Sequence, residues 1–268
     1  MVAGVSGGAD SLALLVLAVE AGLRVTAVHV DHGLRPGSAA EADVVRAAAA
    51  GVGAGFEAVQ VDVGPGPNLE ARAREARRAA LGPSAMTGHT ADDAAETLLL
   101  NLVRGAGLDG LAAIRPGPTK PLLGLRRGDT RAVCAGAGLT PVEDPTNDDP
   151  AHRRNRMRHE VLPLLDRVAE RDVAGLLART AALVGDDAAL LDHLAAGVDP
   201  TDAAALASAP VALARRAVRR WLTAAAPPYP PDAATVERVL AVAEGRRRAT
   251  QVGAGRRVAR TTGRLRLE

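Results

Sequence analysis

The chain of 268 residues predicts an α/β protein: a parallel-sheet domain, then a smaller, mostly helical domain that ends in a β-hairpin. Three observations carry this. Short apolar runs alternate with amphipathic stretches four times in the first 105 residues, the rhythm of βα units. After residue 110 that rhythm gives way to a stretch rich in Pro and Gly, and from His152 the text is helical. The last twenty residues alternate apolar and polar, as a hairpin does.

In order, MVAGV reads as a strand and SLALLVLAVEAGL as a helix; RVTAVHV is a second strand, closed by the loop DHGLRPGS. SAAEADVVRAAAAGVG is a helix with Ser38 as N-cap and Glu41 three residues on, a capping-box pattern. FEAVQVDV is a third strand, GPGPN a turn and LEARAREARRAAL a third helix; SAMTGH is a short fourth strand before ADDAAETLLLNLVRG, a helix capped by Thr90. Four such units imply a parallel sheet covered on both faces. GLAAIRPGPTKPLLGLRRGD is expected to wrap the sheet edge, DTRAVCAGAGL to form one more helix and TPVEDPTNDDP a loop. Helices are expected over HRRNRMRHEVLPLLDRVA, DVAGLLARTAALVGDDAALLDHLAAGV, PVALARRAVRRWLTAAA and PPDAATVERVLAVAEG, with a break at PPYPP and a closing hairpin that turns at Thr-Gly. This places two domains at 1–150 and 151–268.

Hydrophobic residues make up 47% of the chain, and Phe56, Trp221 and Tyr229 are its aromatics, so the core is aliphatic and stacking is a minor binding device. One cysteine, Cys134, excludes an internal disulfide and a cysteine-based zinc site. No run approaches the ~18 apolar residues of a membrane span, and the start has no charged n-region, so no membrane partner and a cytoplasmic location are expected. Residues 1–150 carry 13 Lys/Arg against 18 Asp/Glu, and residues 151–268 carry 20 against 13. An acidic front and a basic back suggest that the back half faces a polyanion.

Two stretches carry chemistry. SGGADS follows the first strand and opens a helix: Gly7 and Gly8 let backbone N–H groups approach an anion, and the helix start adds positive potential. Asp10 would repel phosphate by itself, so its presence argues for Mg²⁺ between carboxylate and phosphates. Neither Gly-Lys-Ser/Thr nor G-x-G-x-x-G is present, and Lys120 is the chain's one lysine. In GHTADDAAET, at about 100° per residue, His89, Asp92, Asp93 and Glu96 share one helix face. Paired carboxylates at i, i+3 suit an ammonium group or a second metal.

A strand followed by S-G-G-x-D-S resembles the PP-loop of the ATP pyrophosphatases, which cleave ATP between the α- and β-phosphates. Taken together, SGGADS, VHVDHGLR, NLEARAREAR, GHTADDAAETLLLNLVRGAGLDGLAAI and EDPTNDDPAHRRNRMRHEVLPLL are similar to the tRNA(Ile)-lysidine synthetase family over residues 2 to about 165. The resemblance implies that ATP adenylates the C2 oxygen of the wobble cytidine in tRNA(Ile) with a CAU anticodon. Free L-lysine then displaces AMP, which changes codon and amino-acid specificity from methionine to isoleucine. It implies that Ser6, Gly7, Gly8, Ala9, Asp10 and Ser11 hold pyrophosphate and Mg²⁺, with Asp10 the metal ligand. His29, Asp31 and His32 would line the adenosine side, and His89 would lie beside the reacting groups. Asp93 and Glu96 would receive lysine's charge, and Arg74 and Arg77 would stabilise negative charge or meet tRNA. Which of His89, Asp93 or Asp10 takes the amine's proton stays open.

For the basic tract, Arg104, Arg153, Arg154, Arg156 and Arg158, with Arg215 and Arg219 further on, are expected to contact tRNA phosphates. Arg216, Arg220 and the arginines at 246–248, 256, 257 and 260 extend this track. Three departures stand out. The first strand begins at Met1 where the family has residues ahead of it, so a missing edge or a misplaced start is the expectation. Arg78 stands where the family has tyrosine, and the further C-terminal domain of longer members has no counterpart. A homodimer is left open. The alternatives are another PP-loop tRNA-modifying enzyme, a thiolase, for which a lone cysteine is poorly suited, and a PP-loop small-molecule ligase, which has no use for a basic half.

Overall fold

The computed structural model describes residues 1–33, 38–64, 66, 69–112, 114–143, 149–225 and 230–268, with the side chains of Ser38, Ala39, Glu70 and Ala71 also left aside. The Ser38 cap, most of the acidic loop at 143–150 and most of PPYPP therefore lie outside the described residues, as do parts of DHGLRPGS and GPGPN.

The first half folds as its rhythm predicts. Strands β1 (Val2–Gly4), β2 (Thr26–Asp31), β3 (Gly55–Gln60) and β4 (Met86–Thr87) form one sheet in the order β3-β2-β1-β4, and every pairing is parallel. Helices α1 (Ala9–Glu20) and α2 (Ser38–Gly51) make the two crossovers in one direction, and α3 (Leu69–Leu81) returns the chain past β1 to β4. Right-handed crossovers then place α1 and α2 on one face and α3 on the other. The order reverses between β1 and β4, so the ligand crevice of such a sheet opens at their carboxyl ends. SGGADS leaves β1 there, and GHTADD leaves β4 into α4 (Ala91–Val103).

The core is aliphatic. Leu12, Leu14 and Leu15 of α1 and Val45, Ala48 and Ala49 of α2 pack with Ala3, Val5, Ala27, Leu122 and Cys134. Each fully buried leucine contributes about 1.5–3 kcal/mol. The Pro/Gly-rich stretch after α4 and the short helix α5 (Leu108–Leu111) runs beside the edge strand, where Thr87 N donates to the Thr119 carbonyl at 3.0 Å. It leads into α6 (Arg127–Gly136), which packs on α1.

The compact units divide later than the rhythm of the text, at 185/186 and not near 150: Met1–Gly185 is one unit and Asp186–Glu268 the other. The reason is apolar. Helices α7 (Arg153–Arg156) and α8 (Leu162–Ala169), joined by the π-helical turn Met157–Val161, and the first half of α9 (Ala174–Ala195) bury Leu162, Val173, Ala174 and Ala181 against Ala95, Leu98 and Leu99 of α4. Arg153–Arg158, assigned to the second domain by the sequence, thus belong to the first unit.

In the second unit α10 (Ala203–Ser208), α11 (Val211–Ala225) and α12 (Ala233–Ala243) pack around Leu206, Val218, Leu222 and Val239 with Val258 and Leu265. The closing segment is not a simple hairpin but three antiparallel strands, β5 (Ala249–Gly253), β6 (Arg256–Thr261) and β7 (Arg264–Leu267). Thr262–Gly263 turns as expected, and Ala254–Gly255 makes the additional turn; all four residues have positive φ, the geometry of tight hairpin turns.

Candidate active site

Gly7 sits at φ 89°, and a Cβ there would lie 3.1 Å from Val142, so the first glycine of the loop is needed for conformation and for space. Val142 N donates to the Gly7 carbonyl at 2.9 Å, which ties the loop to the chain after α6. Ser11 braces the turn from inside: its Oγ receives Ser6 N at 3.1 Å and donates to the Gly8 carbonyl at 2.8 Å, while Ser6 Oγ lies 3.2 Å away. Gly8 precedes Ala9 as the helix N-cap and has no side-chain bond there. Ser11 N and Leu12 N donate to the Gly8 carbonyl, at 3.1 and 3.0 Å, while the N–H groups of Ala9 and Asp10 have no partner among the described residues, the usual cradle for an anion.

Gly88 locks the second turn onto the first. A Cβ at this position would meet the Asp10 carbonyl oxygen at 2.5 Å. Thr90 caps α4 with a capping box in which Asp93 Oδ2 receives Thr90 N at 2.9 Å. Asp92, Asp93 and Glu96 then face α6. Asp92 receives Arg126 bidentately, at 3.0 and 2.8 Å, and Arg127 N at 2.9 Å. Arg127 is the clasp of the site: Nη2 donates to Asp93 at 2.7 Å, Nη1 to Glu96 at 2.6 Å, and Nε stands 3.8 Å from Asp10 Oδ2. Thr130, one turn on, donates to Asp10 Oδ1 at 2.5 Å.

Glu96 is wholly buried, and Arg154 (2.7 Å) and Arg158 (2.8 Å) also donate to it. Burial pushes its carboxyl up, but bonds from Arg158 and Arg127 outweigh this and hold it at about 2. Asp10 goes the other way: burial raises it, against the Thr130 bond. Burial takes His89 down to about 4 although Asp93 is near. Burial lowers His32, helped by Arg77.

Placement of the other expected residues is uneven. Asp10, His89, Asp93 and Glu96 do converge on the crevice. Glu96 is not an open receptor, because three arginines occupy it; Asp93 retains slight exposure. His29 is buried, with Nδ1 3.0 Å from the Val5 carbonyl, so it braces the end of β1. Asp31 Oδ1 receives Gly33 N at 2.9 Å. His32 Nδ1 is buried without a hydrogen-bond partner among the described residues, which suits an incoming polar ligand. Arg77 is more buried than Arg74, and both lie near Lys120. Arg154 and Arg158 turn inward to the acids, whereas Arg156 pairs with Glu160 at 3.0 Å in solvent and Arg153 is exposed. Arg104 caps the far end of α4, away from the acids by about 12 Å at 1.5 Å per residue. On α11 Arg215 reaches Glu237 at 2.5 Å and Arg219 is exposed, whereas Arg216 pairs with Asp192.

Arg126, Arg127 and Thr130 were invisible to motif reading. Their one local signal is the capping pattern RRGD, in which Arg126 N donates to Asp129 at 2.8 Å.

The residues present fit an ATP–Mg²⁺ group. Asp10 offers one carboxylate beside the anion cradle, and Mg²⁺ takes few protein oxygens and completes its shell with phosphate and water. Among the described residues no cluster of three or more His, Cys, Asp or Glu would hold a metal without such a substrate.

A family model described as a PP-loop domain matches residues 1–165, and one described as the TilS substrate binding domain matches 202–266. A tRNA(Ile)-lysidine synthase from Nocardia farcinica is 46% identical over 243 residues, covering 85% of this chain and 76% of that protein. The chain belongs to the tRNA(Ile)-lysidine synthase family. Another member, from Mycolicibacterium paratuberculosis, is 47% identical over 236 residues, 82% of this chain and 73% of its own. As a ligase family with a PP-loop domain it uses ATP, consistent with the loop geometry above. Among solved structures, the U34-tRNA thiolase NcsA from Methanococcus maripaludis with its 4Fe-4S cluster superposes with a TM-score of 0.53 over 67% of this chain and 69% of its own. At 18% identity the likeness is one of fold. Among the described residues no helix is long and apolar enough to cross a membrane.

Proposed function

We propose that the chain ligates free L-lysine to C2 of the wobble cytidine of tRNA(Ile) with a CAU anticodon, through an adenylated cytidine, with release of AMP and pyrophosphate. The observation that carries this is the Arg127 clasp, which joins the acids of α4 to Asp10 of the glycine loop in one crevice. A nucleotide loop and a receptor for a cationic substrate thus lie within reach of one guanidinium.

In this reading the N–H groups of residues 7–10 hold the departing pyrophosphate, and Arg74 and Arg77 stabilise charge as it leaves. Asp10 would hold Mg²⁺, which when bound would neutralise phosphate charge. Asp93 receives lysine's α-ammonium, and Glu96 joins it only as Arg154 or Arg158 lets go. The ε-amine attacks C2, the C2–N bond forms as the C2–O bond to AMP breaks, and the amine's proton goes to a group of the site. The exposed arginines, Arg104, Arg153, Arg156, Arg215 and Arg219, serve the tRNA backbone.

The thiolase reading is disfavoured by Cys134, the chain's one cysteine, which is buried, donates to the Ala9 carbonyl at 3.3 Å and has its thiol pushed up by burial. The deciding experiment is pyrophosphate release from ATP with and without tRNA and lysine, followed by mass spectrometry of the anticodon loop. Release that requires both, with a cytidine heavier by one lysine less water, supports the proposal. ADP and orthophosphate as products, or an unchanged cytidine, would end it.

A further inference from the structure

Lys120 is the one lysine of the chain, and its Nζ lies 2.7 Å from Thr87 Oγ1. Thr87 Oγ1 lies 2.8 Å from Nδ1 of His89. The backbone fixes this row: Thr87 N and Lys120 Nζ both donate to the Thr119 carbonyl, at 3.0 and 3.3 Å, and His89 N donates to the Thr87 carbonyl at 2.9 Å.

In one arrangement of protons along the row, every O–H and N–H finds an acceptor among the described residues. An ammonium has three protons and no lone pair, so Lys120 donates to Thr87. The Thr87 hydroxyl has one proton, and among the described residues its acceptor is His89 Nδ1. A ring nitrogen that accepts carries no proton, so the neutral imidazole holds its proton on Nε2. The charge on Lys120 polarises the hydroxyl and strengthens it as a donor.

We infer that Lys120 and Thr87 are positioning residues that fix His89 as its neutral, Nε2-protonated tautomer, so that His89 meets the substrates as a hydrogen-bond donor and is not the base that takes lysine's proton. The donor role rests on the function proposed above; the tautomer does not. A proton on Nδ1 would leave the Thr87 hydroxyl proton with no acceptor among the described residues. The charged groups around the ring are Asp93, Lys120, Arg74 and Arg154, and burial keeps the imidazole uncharged down to about pH 4. Arg74, Arg77 and Arg78 face Lys120 in turn. A neutral donor among these cations suits an oxygen that gains negative charge, on phosphate or on C2. The amine's proton is then left to a carboxylate, Asp10 or Asp93.

The test is long-range ¹H–¹⁵N correlation of the histidine rings in the ligand-free protein, with His89 assigned by its loss in His89→Gln. An unprotonated Nδ1 and a protonated Nε2 across pH 6 to 8 are expected, with mixed tautomers in Lys120→Met. A protonated Nδ1 in the wild type, or no change of the tautomer in Lys120→Met, overturns the inference. In turnover, His89→Gln, which still presents an N–H, should exceed His89→Ala at least tenfold; equal rates would mean a base was lost in both. Because the tautomer is read without substrates, absence of lysidine would sink the proposed function and leave this result standing.

Discussion

Nη1 of Arg127 lies 2.6 Å from Oε1 of Glu96, and the same guanidinium reaches Asp93 at 2.7 Å and stands 3.8 Å from Asp10. One side chain from the start of α6 thus spans the acids of α4 and the glycine loop. Arg127→Ala should leave a buried carboxylate with one donor fewer and cost about 3–5 kcal/mol, the usual penalty for breaking a buried pair. Urea denaturation would measure it. Arg127→Lys keeps the charge but not the fork and should recover stability only in part.

Acid should unfold the protein in two windows. His89 stands at about 4, below its ordinary 6.5, so its contribution is complete above pH 6.5 and is lost as pH falls toward 4. Glu96 stands at about 2, below its ordinary 4.5, so its contribution is complete above pH 4.5 and is lost as pH falls toward 2. Thermal midpoints recorded from pH 8 to pH 2.5 should fall across both. In Glu96→Gln the lower step should shrink, with Asp92, held low by its Arg126 bond against burial, supplying part of what remains; a step of unchanged size would show that Glu96 is not its source.

The contact between Gly88 and the Asp10 carbonyl predicts a specific defect. Gly88→Ala inserts a methyl 2.5 Å from backbone and must shift the loop. Titration calorimetry with a non-hydrolysable ATP analogue should show at least tenfold weaker binding. Gly22→Ala is the control: Gly22 has φ 80° and nothing within 4 Å of an added Cβ, so it should lose about 1 kcal/mol of stability and keep nucleotide affinity.

Asp10→Asn should separate nucleotide from metal. Analogue binding in EDTA should persist, because the cradle is backbone, while the gain on adding Mg²⁺ should disappear with pyrophosphate release. A variant that still responds to Mg²⁺ would remove Asp10 as its ligand.

For tRNA, Arg215→Ala with Arg219→Ala should lower the slope of log affinity against log salt by about 1 for each phosphate that is no longer neutralised. Filter binding between 50 and 200 mM salt reads it. An unchanged slope would assign these arginines to the fold alone.

The strand–helix alternation was legible because each βα unit is local: period, cap and turn lie within about 30 residues. The glycine loop and the acids of α4 were legible for the same reason. The clasp was not. Arg127 stands 34 residues beyond Asp93 in sequence, in a stretch whose Pro and Gly announce only a wrap along the edge. Arg154 and Arg158 looked like nucleic-acid contacts, yet packing of Leu162 against Ala95 and Leu98 carries them inward onto Glu96. The third C-terminal strand was hidden by Ala254, which takes φ 51° in a turn where asparagine or glycine is the usual sign.

A closed set of acids also acts as a filter. Potassium, magnesium or a polyamine that drifts into the crevice meets carboxylates already satisfied by tethered guanidiniums, and gains little by replacing them. In the proposed function, a visitor that arrives with a polyanion able to draw those guanidiniums elsewhere would find the acids open, so the guest amine would be chosen by the company it keeps.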